Sequence, residues 1–340
     1  MTTYSFPKID LHNHLDGGFR PETLYELAER YGIPVEVPTV EEYRELTRHR
    51  ANCGSVNEYL KMFDLPTAVM RTEEALERMT FELGEDLYHE GVAYAEIRFA
   101  PQQHTQAGLT QADAIEAVIA GAKRAMDTYP IKLGIIACMM SYGSEQINMK
   151  ENLETAQTAK RYLGKGLVGV DLAGAEGIVP LENFAPLFET ARELGLPFTC
   201  HAGDSPGPET VETAVELFGA HRIGHGHHVY FDPELVRKCA AKGITFEICP
   251  TSNIQCQTEP TYAKHPAKNM LDMGLNVTIN TDNQFLAGVT LDSEYDHCIN
   301  EMGFTYEDLI RMNLNSINAA FCDETIKAPI RSELLRLLGQ

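Results

Sequence analysis

Short apolar runs alternate along the whole chain with stretches in which apolar residues recur at helical spacing. The runs are Ile9–Leu11, Val92–Phe99, Leu133–Met139, Val168–Leu172, Phe198–Cys200, Arg222–Gly224, Ile244–Ile248 and Val277–Asn280. Runs of this length without strict in–out alternation predict strands buried on both faces, as in a parallel sheet. Between them, Leu24, Leu27, Ala28 and Tyr31 fall at i, i+3, i+4 and i+7, as do Phe184, Leu187, Phe188 and Ala191. Val211, Ala214, Val215 and Phe218 repeat the spacing, and Ile115, Val118, Ile119, Ala122 and Met126 extend it. Each set marks a helix with one buried stripe.

Strands separated by helices from end to end predict an α/β chain folded as a (β/α)8 TIM barrel. An open doubly wound sheet is the alternative, but no G-x-G-x-x-G turn follows an early strand. Residues 38–71 exceed an ordinary strand-to-helix connection and carry Tyr59, Leu60 and Phe63 at helical spacing. They predict a helical insertion over the barrel mouth. Residues 305–340 read as helical and complete the outer layer. With no linker, repeat or low-complexity tract, residues 1–340 are expected to form a single domain.

Composition narrows the function classes. The chain has 340 residues, 44% of them hydrophobic and 23% charged, enough for a substantial core. A formal net charge of −21 argues against nucleic acid, whose phosphates call for clustered Lys and Arg, and against an anionic membrane surface. The eight cysteines include no C-x-x-C pair. Together with the absence of a basic–apolar leader and of any long apolar stretch, they predict reduced thiols in a cytoplasmic protein.

The chemistry lies at the ends of the predicted strands. His12 and His14 sit two apart on the first, so both imidazoles project to one side, half of a divalent-metal site. His201 follows the fifth, His225 ends the sixth and Asp282 follows the eighth. In a barrel these carboxyl ends converge on one face. His12, His14, His201 and Asp282 would make a site of three imidazoles and one carboxylate with room for water, a set that suits zinc. A bound divalent ion brings the pKa of water from 15.7 to about 7. Hydrolysis also needs a base for that water, a role open to His225 and Asp282, and an acid for the substrate, open to Asp204. The contexts of His49, His89, His104, His221, His265 and His297 predict surface or capping roles. His227 and His228 are read as structural.

The chain resembles the adenosine deaminases of the amidohydrolase superfamily. The matching segments are Asp10–Gly17 (DLHNHLDG), Asp171–Gly174 (DLAG), His201–Gly203 (HAG), Arg222–Gly226 (RIGHG), Cys249–Asn253 (CPTSN) and Asn280–Asp282 (NTD), in the family's order. The resemblance implies a zinc-bearing barrel, one ion per chain, that hydrolyses the 6-amino group of adenosine or deoxyadenosine to yield inosine or deoxyinosine and ammonia. It implies His12, His14, His201 and Asp282 as ligands and His225 as the residue that orients water. Substrate contacts are implied for His14, Asp16 (ribose hydroxyls), Gly174 (backbone N–H to a ring nitrogen), Asn283, and the apolar lid Tyr59, Leu60 and Phe63. The implied partner is a small purine nucleoside.

Two positions depart from the pattern. Asp204 stands where the family usually has Glu, the donor to ring nitrogen N1, and is shorter by one methylene. Asn283 stands where many members have a second Asp, and its amide still offers an N–H to N7. The Asp204 change leaves two further readings: a deaminase of adenine or a 5′-modified adenosine, or a catalytically impaired nucleoside-binding protein. AMP fits less well, because a phosphate calls for clustered Arg or Lys. The cytidine-type zinc deaminases are excluded, since the chain has no P-C-x-x-C.

Overall fold

All eight apolar runs are parallel strands in the structure, a computed structural model that describes residues 4–142, 148–204 and 207–340. The strands are β1 (Lys8–His14), β2 (Val92–Phe99), β3 (Lys132–Ser141), β4 (Leu167–Gly174), β5 (Thr199–Ala202), β6 (Arg222–His225), β7 (Thr245–Ile248) and β8 (Asn276–Ile279). They pair in the order β1-β2-β3-β4 and β5-β6-β7-β8. Two seams join these halves. At one, Val170 N–H donates to Pro197 O at 2.9 Å beside a parallel bridge between Val170 and Phe198. At the other, His14 N–H donates to Asp282 O at 2.7 Å and Asp282 N–H to His12 O at 2.8 Å. The ring is therefore closed, a (β/α)8 barrel and not an open sheet. β1 runs past Leu11 to include both histidines, and that extension makes the second seam.

The helical stripes pack as their spacing requires. Helix Pro21–Tyr31 begins on a proline, buries Leu24, Leu27 and Ala28, and ends at Gly32 with φ 64°. Helix Gln111–Thr128 buries Ile115, Val118 and Ala122. The stripe from Val211 to Phe218 is less regular, a short helix Glu209–Glu212 running into a π-helical turn Thr213–Phe218. The long connection is an insertion of helices Val40–Ala51, Val56–Leu60 and Asp64–Val69 with a 3-10 turn Lys61–Phe63 between the last two. Helices Tyr306–Ala319 and Glu324–Leu337 close the outer layer.

The barrel interior is polar where it supports the site. Glu247 on β7 is fully buried and accepts from Arg98 Nη2 at 2.8 Å, Arg222 Nε at 2.7 Å and Thr199 Oγ1 at 2.9 Å. Arg98 also donates to Asp171 Oδ2 at 2.8 Å, and Arg222 to Glu96 Oε2 at 2.5 Å. Removing one partner of such a network strands the others, at a cost of about 3–5 kcal/mol.

Two histidines expected in surface or capping roles are buried, although His265 does accept from Ala267 N–H at the start of a helix. His104 places Nδ1 2.8 Å from Met70 O, and burial lowers its pKa to about 4. His265 is also buried and joins the reaction centre through Asn253. His104 ends a short 3-10 turn and His265 follows one, and the barrel folds both inward, which local context does not reveal.

Candidate active site

His12 and His14 project together from the end of β1 with their Nε2 atoms 3.3 Å apart. Asp282 Oδ1 lies 3.6 Å from His12 Nε2 and 3.4 Å from His14 Nε2. Donors at about 2.0–2.2 Å from a tetrahedral zinc stand roughly 3.3–3.6 Å from one another, so these three fit such an ion. His201, from β5, forms a second close set with His12 and His225. Asp282 and His225 both adopt left-handed backbone, with φ 60° and 59°. Strain of that kind at non-glycine residues marks positions the surrounding fold holds in place.

Buried carboxylates orient the imidazoles. Glu247 Oε2 lies 2.9 Å from His12 Nδ1, so that nitrogen carries the proton and Nε2 presents its lone pair. Asp171 Oδ2 lies 2.9 Å from His201 Nδ1. Burial and then Arg98 hold the His12 pKa well below its ordinary value, and burial and then His201 do the same for His14. Burial would raise the Asp171 carboxyl, but His201 and Arg98 outweigh it and hold it at about 2. Neutral imidazoles, which burial favours at His12 and His14, are the form a cation binds, whereas Asp171 raises the His201 imidazole against its burial. Cys249 also falls near His225 and Asp282, but burial pushes its thiol well up and disfavours the thiolate.

A chain of unambiguous donors fixes the proton arrangement opposite the imidazoles. Ala267 N–H donates to His265 Nδ1 at 3.2 Å, so His265 Nε2–H donates to Asn253 Oδ1, also at 3.2 Å. The Asn253 amide is thereby oriented. Its Nδ2 donates to Asp204 Oδ1 at 2.8 Å and to His225 Nδ1 at 3.1 Å. Thr258 Oγ1 donates to the same Asp204 oxygen at 3.1 Å. The backbone N–H groups of Gly203 and Asp204 donate to Glu176 at 2.7 and 2.9 Å. Ser205 and Pro206, which follow Asp204, lie outside the described residues.

A cavity of about 850 Å³ opens beside these groups at His14 and is lined by Asp16, Leu60, Phe63, Gly174 and Tyr142 among others. A smaller recess joins it at His14, Leu60, Phe63 and Gly174 and reaches Tyr59, His201, Asp204, His225, Asp282 and Asn283. His12 lies beneath this surface, fully buried. Every residue singled out in the sequence for the reaction therefore gathers at one end of the barrel. Burial raises the Asp16 carboxyl to about 7 and leaves its Oδ1 without a partner. Gly174 has φ 106°, and a Cβ there would lie 2.4 Å from Ser141 O. Only glycine fits.

Sequence reasoning missed Glu247, Thr258 and Glu176, and gave no role to Asn253, which ends the matching CPTSN segment. The one available signal was charge inside an apolar strand, at Glu247 as at Glu96 and Arg98.

A closed parallel barrel with imidazole and carboxylate donors grouped at its strand ends defines a metal-dependent hydrolase of the amidohydrolase type. The chain belongs to the adenosine deaminase family, whose model matches residues 7–337. It is 36% identical over 340 residues to an adenosine deaminase of Clostridium perfringens, covering 98% of this chain and 100% of that one. Its fold is similar to that of an adenine deaminase from Arthrobacter aurescens, with TM-score 0.89, 26% identity, and 99% and 100% of the two chains covered. A zinc-bound amidohydrolase from Burkholderia ambifaria is also similar, with TM-score 0.87, 27% identity, and 99% and 92% covered.

Proposed function

We propose that residues 1–340 form one deaminase domain that hydrolyses the 6-amino group of adenosine or deoxyadenosine, giving inosine or deoxyinosine and ammonia. The observation that carries this reading is the grouping of His12, His14 and Asp282 beside a second set of His12, His201 and His225, with Asp204 lining the same recess. His12, His14, His201 and Asp282 would hold one zinc ion per chain. When bound, that ion supplies Lewis acidity that brings water within reach of ionisation at neutral pH. Asn253 donates to His225 Nδ1, so the neutral ring keeps its proton on Nε2 and orients the attacking water by donating to it. Asp282 accepts the water's proton. The bonds from Asn253 and Thr258 both fall on Asp204 Oδ1, and among the described residues none falls on Oδ2, which would deliver a proton to N1.

The remaining contacts follow from the cavity. Asp16, with an unpartnered oxygen, accepts from ribose hydroxyls. The Gly174 N–H meets a ring nitrogen and the Asn283 amide meets N7. Tyr59, Leu60 and Phe63 cover the base and exclude water, strengthening each charge interaction inside.

One observation favours a second reading, a 5′-modified adenosine. The cavity runs on past Asp16 to Gln102, Gln103, Gln106 and Tyr142, beyond what a nucleoside fills. Lys61 is the one Lys or Arg among its described lining residues, so a phosphate finds no cluster there. The test is zinc content together with ammonia release from adenosine, deoxyadenosine, adenine, a 5′-thioether of adenosine and AMP. Turnover fastest with adenosine or deoxyadenosine supports the proposal. Preference for the thioether or adenine replaces it with the rival, and purine binding without ammonia release by zinc-loaded protein overturns it.

A further inference from the structure

Beyond the reaction centre lies a second buried cluster that the proposed reaction does not use. His227 follows β6, in the 3-10 turn His227–Phe231, and neither of its ring nitrogens has a partner although the side chain is fully buried. His228 Nδ1 and Glu259 Oε1 are likewise unpartnered, at 7% and 5% exposure. His227 Nε2 lies 3.8 Å from Glu259 Oε1, and one donor atom from each of the three residues falls within 4.8 Å of the others.

An unsatisfied buried polar atom costs about 1–3 kcal/mol, so four in one place call for an occupant. Glu259 makes no contact with Lys or Arg among the described residues, and a buried carboxylate without a cation must take a proton or bind a metal. Burial brings its pKa to about 7, so near neutrality the ionised form a cation needs is populated alongside the protonated one. Burial also holds the His227 imidazole neutral. Two imidazoles and one carboxylate are a zinc-type donor set. The neighbouring His265 is not available, because both its nitrogens are already bonded.

We propose that His227, His228 and Glu259 form a second site for a divalent metal of the zinc type, held by three protein donors. It would tie the turn after β6 to the segment after helix Pro250–Gln255. That segment carries Thr258, next to Glu259, and Thr258 with Asn253 positions Asp204.

The test is elemental analysis of the full chain, loaded with zinc and dialysed against metal-free buffer. We expect about two ions per chain for the native protein, about one for Glu259→Gln, and about one for His201→Ala. One ion in the native protein, lost in His201→Ala and kept in Glu259→Gln, overturns this inference and leaves the reaction-centre assignment standing. One ion, kept in His201→Ala and lost in Glu259→Gln, does the reverse. Should Glu259→Gln fail to fold, cobalt titration of the native chain decides. Two successive d–d spectra support the second site, and saturation at one equivalent refutes it.

Discussion

Replacing Asp204 by Asn separates the acid's chemistry from its structural role. The amide of Asp204→Asn keeps an oxygen where Oδ1 sits, so the bonds from Asn253 at 2.8 Å and Thr258 at 3.1 Å persist with a neutral acceptor. A hydrogen bond of this kind contributes about 1 kcal/mol, so even the loss of both would cost about 2 kcal/mol. Stability should therefore fall by no more than about 2 kcal/mol. Metal content should not change, because Asp204 makes no contact with the imidazoles closer than 3.9 Å from His225 Nδ1. Turnover is different. Loss of a positioned general acid costs about 10²–10⁴ in rate, or about 2.7–5.5 kcal/mol of barrier. The assay is the ultraviolet absorbance change on deamination, with melting temperature and zinc content measured on the same preparation. A kcat within about threefold of native, in folded and zinc-loaded protein, would show that another group protonates the ring. Asp204→Glu is the companion variant. Its longer side chain should keep or raise kcat, and total loss would show a pocket rebuilt around the shorter acid.

Three further outcomes follow from particular contacts. Glu247→Gln should lower stability by about 3–5 kcal/mol by stranding Arg98 and Arg222, and weaken metal retention against a chelator by about 10–100-fold by loosening His12; unchanged retention in folded protein would remove Glu247 from that role. Gly174→Ala should raise KM and lower the melting temperature, since the new Cβ meets Ser141 O in left-handed backbone, at a cost of about 1–3 kcal/mol; native KM would refute the contact. Glu294, fully buried, has its carboxyl raised by burial from an ordinary 4.5 to about 8. The folded chain holds that proton between these values while the unfolded chain releases it, so native stability drains by about 1.4 kcal/mol per pH unit as pH rises through this window. Glu294→Gln should match the native melting temperature near pH 5 and exceed it above pH 8, and parallel pH profiles would refute the assignment.

Periodicity alone placed all eight strands, because a strand buried on both faces must be a short apolar run whatever its neighbours. His12 and His14 were legible for a similarly local reason, since two residues along a strand share a side. Their joining with His201 and Asp282 followed from one rule of barrels, that strand ends share a face. What orients those ligands was not legible. Glu247 meets His12 across 235 residues of chain, and no spacing announces such a partner. His265 looked like a loop residue until the fold turned it inward onto Asn253, and through Asn253 onto Asp204 and His225. The chain's own order thus determined which side chains could do the chemistry. Closure of the barrel decided their proton positions and their burial, because both depend on atoms brought together from distant strands.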